Sequence, residues 1–200
     1  MSIKTLWFGF GGMLGLLALF LGWRALTNDY TYQGSLIDPP VQAADFALND
    51  QQGRLFRLSE QRGRVVLMAF GYTNCPDVCP TTLAQFKQLK SALGADAEVV
   101  RFVFVTVDPE RDTRERLAAY INSFDPTFIG LGGSREELEP VWQKYFVYQQ
   151  KRETGSAAGY LVDHTSRIYA IDKDGNLRLT YPFDIEREFL LNDVRHLVRE

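Results

Sequence analysis

VVLMAFGYTNCPDVCP, residues 65–80, decides the fold. Residues 65–72 form an unbroken apolar run, the pattern of a strand buried on both faces of a sheet. The run leads into Cys75 and Cys79, each followed by a proline. Proline disfavours the α conformation in the residue before it. Both cysteines are therefore expected in a turn, with Pro80 opening the next helix, a position that suits proline. The C-terminal end of a strand is where open α/β sheets place their chemistry. Cys79, at the N-terminus of that helix, is expected to be favoured as thiolate by the partial positive charge there.

The surrounding pattern extends the sheet. After the cysteines, Leu83, Phe86, Leu89 and Leu93 recur at helical spacing. Residues 99–107 read as a second buried strand. Thr113 is placed to cap a helix carrying Leu117, Tyr120, Ile121 and Phe124, and residues 128–131 suit a short strand. Ser134 and Glu137 have capping-box spacing for a further helix bearing Leu138, Val141, Trp142 and Tyr145, in which Pro140 is expected to cause a kink or a late start. Residues 146–151 and 160–162 read as strands joined by a Gly-, Ser- and Ala-rich loop. Residues 167–171 and 177–181 flank Asp174-Gly175, a hairpin signal. Asp184 is placed to cap a last helix with Leu190, Val194 and Leu197. Upstream, residues 46–48 and 55–58 flank a turn containing Gly53 and suggest an N-terminal β-hairpin. Strands alternating with helices imply a mostly parallel sheet covered on both faces. The closing antiparallel hairpin fits a thioredoxin-like α/β fold. A flavodoxin-like sheet is disfavoured, since no glycine-rich phosphate loop follows the first buried strand.

Residues 6–23, LWFGFGGMLGLLALFLGW, carry no charge and have tryptophans at positions 7 and 23. An uncharged run of about 18 residues or more suits a transmembrane helix, with aromatics at the interfaces. A cleaved signal peptide would have a shorter apolar region and a small-residue cleavage site. The expected organisation is a short tail (1–5), a membrane anchor (6–23), a tether (24–40) containing Pro39 and Pro40, and one folded domain (41–200). With 46% apolar residues and a net charge of −3, the chain can pack a core and has no basic face for nucleic acid.

Only two cysteines and two histidines are present. A disulfide closing so short a loop would be a weak structural staple, so a redox pair or metal ligands are the better readings. His164, beyond the Gly-rich loop, is the candidate third ligand. Two thiolates and an imidazole make a soft, low-coordinate site suited to Cu(I), and able to accept Cu(II); a structural zinc site would be closed by a fourth ligand. From the residues alone, His164 reads more readily as a polar surface residue than as a ligand. His196, near the end of the last helix, is accounted for by the helix dipole.

Three blocks, GYTNCPDVCPTTL (71–83), VTVDPERDT (105–113) and DHT followed by IY and DKDG (163–175), resemble the Sco/SenC family of copper-delivery proteins for cytochrome c oxidase assembly. The resemblance implies a thioredoxin fold with copper held by Cys75, Cys79 and His164, and delivery to the dinuclear copper site of an oxidase subunit. Asn74 is given no metal role, and residues 108–112 are read as a turn leading into the helix at Thr113. Reduced thiols are a prerequisite for binding copper, so a thioredoxin-like reductant is an expected partner, together with the oxidase's copper-binding subunit and another copper chaperone. The expected location is a bacterial inner membrane with the domain in the periplasm, the mitochondrial inner membrane being the alternative. The alternative function is a thiol–disulfide reductase acting on the oxidase subunit, with Cys75 and Cys79 as the redox pair. A peroxidase is disfavoured because the Thr73–Cys75 spacing differs from that of peroxiredoxins.

Overall fold

The computed structural model describes residues 30–156 and 159–200. The expected anchor (6–23) and the first part of the expected tether lie outside them. Among the described residues, no helix is long and apolar enough to cross a membrane.

Residues Tyr32–Glu200 form one compact unit. Its strands are β1 (Ser35–Gln42), β2 (Ala47–Asp50), β3 (Leu55–Arg57), β4 (Val65–Gly71), β5 (Val100–Thr106), β6 (Ile129–Gly132), β7 (Gln149–Ser156), β8 (Gly159–His164), β9 (Arg167–Ile171) and β10 (Asn176–Pro182). Its helices are α1 (Val78–Leu93), α2 (Arg114–Phe124), α3 (Arg135–Lys144) and α4 (Arg187–Arg199). Eight strands form one sheet in the order β1-β10-β9-β4-β5-β6-β2-β3, and β7 and β8 form a separate two-stranded sheet.

The central strand is the one the apolar run specified: every residue of β4 is buried. The sheet is mixed, however, not mostly parallel. Among the described residues it is parallel only at β4–β5 and β5–β6, where a helix carries the chain back across a face. Hairpins supply the rest: β2 and β3 extend one edge, and β9 and β10 join the other antiparallel to β4. Gly175, at φ 83, makes the β9–β10 turn without the penalty of a side chain.

Alternation along the strands sorts the core into two layers. Phe102 and Phe104 point to one face, against Phe86 of α1 and Tyr120 of α2. Phe70 points to the other, against Tyr145 at the end of α3. The apolar stripe of α1, Leu83, Phe86, Leu89 and Leu93, is buried throughout.

Several local expectations need correction. The end of the expected tether is strand β1, paired with β10 at both its ends and out of register between Leu36 and Val41. The interruption holds Pro39 and Pro40, which have no N–H to give a ladder and are tolerated on an edge strand. Residues 146–148 precede β7 and are not part of it. Pro140 does not delay α3, whose capping box between Ser134 and Glu137 is complete. Helix α4 is preceded by Glu186 rather than Asp184 and has no side-chain cap. Thr113 caps α2 as expected, its side chain accepting from Arg116 N.

Candidate metal centre

The loop after β4 is tied to the sheet before it reaches the first cysteine. Val107 N–H donates to Gly71 O at 2.8 Å, and Cys75 N–H turns back to Tyr72 O at 3.2 Å. Between them, Thr73 donates to the Asp112 carboxylate from its amide (3.1 Å to Oδ2) and its hydroxyl (2.6 Å to Oδ1). Thr106 Oγ1 at the end of β5 donates to the same carboxylate at 2.6 Å. Asp112 is buried, and that burial raises its pKa against the lowering effect of the Thr106 and Thr73 hydrogen bonds. Asp108 is buried as well. The segment read from sequence as a simple turn is thus the inner support of the cysteine loop. Asn74, given no metal role, accepts a hydrogen bond from Arg116.

Both cysteines are free thiols, Cys75 half-buried and Cys79 buried. Cys79 lies inside α1, which begins at Val78, and not in the turn ahead of it. Ionisation is favoured at Cys75 rather than Cys79, and the earlier helix start contributes to that reversal. The helix N-terminus acts on atoms in front of its axis, and the sulfur in front belongs to Cys75: Cys79 N–H points to Cys75 Sγ at 3.4 Å. The Cys75 pKa is lowered to about 5, chiefly by a hydrogen bond from the Cys79 thiol, with burial opposing, and with help from the Asp77 and Cys79 amides and the charge of His164. The Cys79 thiol is pushed up by that same bond and by burial.

This asymmetry is measurable. In the reduced protein, alkylation by iodoacetamide as a function of pH should show one thiol that stays reactive down to about pH 5, far below the value of about 8.5 for a free cysteine. A depressed pKa means that reactivity is present above pH 5 and is lost as the pH falls through it. Mass mapping should place the modification on Cys75. A single midpoint near about 8.5 for both thiols would contradict this arrangement.

His164 is the last residue of β8, which runs two residues beyond the strand end expected at residue 162. Its Nδ1 stands 3.0 Å from Val162 O. A carbonyl can only accept, so Nδ1 carries a proton, and in the neutral ring Nε2 keeps its lone pair. Nε2 faces Cys79 Sγ at 3.6 Å. The Tyr72 ring meets the imidazole edge-on at 5.6 Å, and the Tyr72 hydroxyl accepts from Val162 N–H at 3.2 Å. Cys75 and His164 line one groove of about 280 Å³ with Tyr72, Pro76, Asp77 and Arg152. The three predicted residues are therefore brought together from positions up to 89 apart in the chain (164 − 75). They adjoin one another without enclosing a common point: among the described residues, no three His, Cys, Asp or Glu side chains form a closed ion-holding cluster. The donor set itself, two sulfurs and an unprotonated imidazole nitrogen, suits a soft ion. His196 lies elsewhere, against Tyr32 and Glu200.

Fold and site together define a thioredoxin-like thiol domain, with two cysteines at the head of the first helix and an imidazole brought over them by a separate hairpin. The SCO1/SenC family model matches residues 36–199, and the chain belongs to that family. It is similar to a SCO2-like protein of Rickettsia prowazekii, 33% identical over 190 residues that cover 94% of this chain and 91% of the relative. Among solved structures it resembles Bradyrhizobium japonicum ScoI with copper bound, at 37% identity and TM-score 0.72, over 78% of this chain and 99% of that one. It also resembles BsSco, described as having a disulfide switch and as a member of the Sco family of cytochrome c oxidase assembly proteins, at 25% identity and TM-score 0.64, over 82% and 98%.

Proposed function

We propose that this protein takes up copper through Cys75, Cys79 and His164 and delivers it to the dinuclear copper site of cytochrome c oxidase. It would work from a bacterial inner membrane, anchored by residues 6–23 with its folded domain in the periplasm. The observation that carries this reading is the aim of His164: with Nδ1 held by Val162 O, Nε2 is left as a free donor 3.6 Å from Cys79 Sγ. The copper-bound relative and the oxidase-assembly role given for BsSco support it. In the cycle, the Cys75 thiolate receives the ion first because it is half-exposed and ionised. Cys79 then exchanges its thiol proton for the ion, the proton leaving to solvent. Three protein ligands leave the ion open to an incoming thiol or imidazole of the client, so transfer proceeds by ligand exchange without passing through a bare ion.

His164→Ala tests the ligand set. Anaerobic competition titration of the reduced protein with a Cu(I) chelator should show affinity falling by more than about 100-fold, since even groups that merely support a metal ligand are worth about 10–100-fold. Unchanged affinity would remove the imidazole from the site.

A second reading is favoured by the unlike thiols. A half-exposed Cys75 thiolate beside a buried Cys79 thiol is also the arrangement of a thiol–disulfide reductase, in which Cys75 attacks a client disulfide and Cys79 resolves the mixed disulfide. The same variant separates the readings: reductase activity should survive His164→Ala.

A further inference from the structure

We propose that Arg111 and Tyr160 form a latch that holds the β7–β8 hairpin against the domain and so sets His164 over the thiols. The proposal rests on the copper-site reading for its purpose but not for its geometry.

Hairpin β7–β8 shares no ladder with the main sheet, and an isolated two-stranded hairpin is marginal in water. Beyond its covalent continuation into β9, with two residues intervening after His164, side chains are what hold it over the cysteines. Along β8, residues two apart share a face, so Tyr160, Val162 and His164 point the same way. All three meet the body of the domain. Val162 is buried, His164 reaches Cys79, and Tyr160 reaches residues 108–111.

The Tyr160 contact is the most elaborate of the three. The Arg111 guanidinium lies 3.7 Å from the centroid of the Tyr160 ring, and its Nη1 donates to Tyr160 O at 2.8 Å. The Tyr160 hydroxyl donates to Asp108 Oδ1 at 2.7 Å. Arg111 Nε closes the ring of contacts by donating to Asp108 Oδ2 at 2.5 Å. Lys151 of β7, itself paired with Glu110, stands 4.8 Å from the same tyrosine ring. Tyr160 is thus contacted by two cations and bonded to a buried carboxylate. Charge-assisted and cation–π contacts of this kind are among the stronger polar ones. None of these groups touches a candidate ligand, so Arg111 and Tyr160 are positioning residues: Tyr160 acts on His164 along strand β8, and Arg111, whose guanidinium also lies 5.6 Å from the centroid of the Tyr72 ring, acts both along β8 and through Tyr72.

Two variants test the latch in the reduced, metal-free full chain. Tyr160→Ala removes the ring and hydroxyl from a partly exposed position. Arg111→Lys keeps the charge beside Asp108 but loses the planar fork that serves both Asp108 and the Tyr160 carbonyl. Proton NMR of the His164 ring reads its place beside Tyr72, whose edge-on ring displaces those resonances. In both variants the His164 resonances should move toward free-histidine values, and the Val162 amide should exchange at least about tenfold faster, while amides of β4 and β5 keep their rates. Tyr160→Phe, which retains the ring contacts, should recover part of the wild-type shift. Unmoved His164 resonances in both variants, or equal acceleration of the β4 and β5 amides, would overturn the latch. X-ray absorption of the Cu(I)-loaded proteins then separates the two proposals. A nitrogen ligand present in the wild type and lost in Tyr160→Ala joins the latch to the metal site, and one retained in Tyr160→Ala overturns its role in placing the ligand. A wild type with no nitrogen ligand defeats the copper-site reading, while the ring shifts still decide the latch.

Discussion

Gly71→Ala should abolish tight copper binding without replacing a ligand. A Cβ at Gly71 would stand 2.5 Å from Cys79 Sγ and 2.7 and 2.9 Å from Phe104 Cε2 and Cζ. Neither neighbour has room to retreat: Cys79 and Phe104 are 2% and 1% exposed. The glycine is required here by close approach. Overpacking of this kind costs about 3 kcal/mol at the upper end of its usual range, which for a domain of this size is a fall of roughly 6–12 °C in melting temperature. The functional loss should exceed what that destabilisation explains, because the atom displaced is the buried sulfur itself. The double variant Gly71→Ala/Phe104→Leu makes the distinction. Removing the ring contact should restore part of the melting temperature, while Cu(I) affinity, measured by anaerobic chelator competition, should stay lost because the methyl still meets Sγ. Wild-type copper affinity in the single variant would show that Cys79 does not bind from this position.

The parts of this molecule that were legible in the sequence are those where one pattern dominates a segment. The run through β4, the stripe of α1 and the Asp174-Gly175 turn each carry a local signal strong enough to specify their element. The candidate ligands were legible as residue types, but their chemistry depended on register. A helix starting at Val78 rather than Pro80 puts Cys79 inside it and leaves Cys75 as the sulfur that the amides face. Where the helix begins decides which sulfur its amides face, and boundaries are what propensity specifies least. Strand β7, QQKRETGS, has no apolar alternation at all, because its hairpin meets the domain through the mixed side chains of β8, Tyr160, Val162 and His164, and not through a continuous apolar face. For the same reason Tyr160 and Arg111 gave no sign of meeting. Asp108 and Asp112 read only as part of a turn leading into α2, since burial of a carboxylate is a tertiary fact. The available hint was their position: a cluster of charged residues soon after the apolar strand β5, where a surface turn should start but where the sheet's functional edge also lies.

Asp112→Ala should be the most destabilising single change outside the apolar core. The carboxylate is 5% exposed and accepts from the Thr73 amide, the Thr73 hydroxyl and the Thr106 hydroxyl. Alanine leaves these donors without their acceptor. Each buried unsatisfied group costs about 1–3 kcal/mol, and because the three share one partner the costs do not simply add. A total of about 3–5 kcal/mol follows. Asp112→Asn keeps one acceptor oxygen and should lose about half as much. The titration of the group gives an independent check. Burial raises the folded pKa above the ordinary 3.8, so the native state holds this proton more tightly than the unfolded chain does. The contribution to stability is therefore fully present below pH 3.8 and declines as the pH rises through the folded value; the asparagine variant should lack that component in urea melts taken across this range. Copper affinity should fall with the alanine variant even at temperatures where it is fully folded, because Thr73 stands two residues before Cys75 and its tether sets where that sulfur lies. A folded Asp112→Ala protein with wild-type stability and copper affinity would mean that the cysteine loop is held by its own turn, Cys75 N–H to Tyr72 O, and needs no support from the segment after β5.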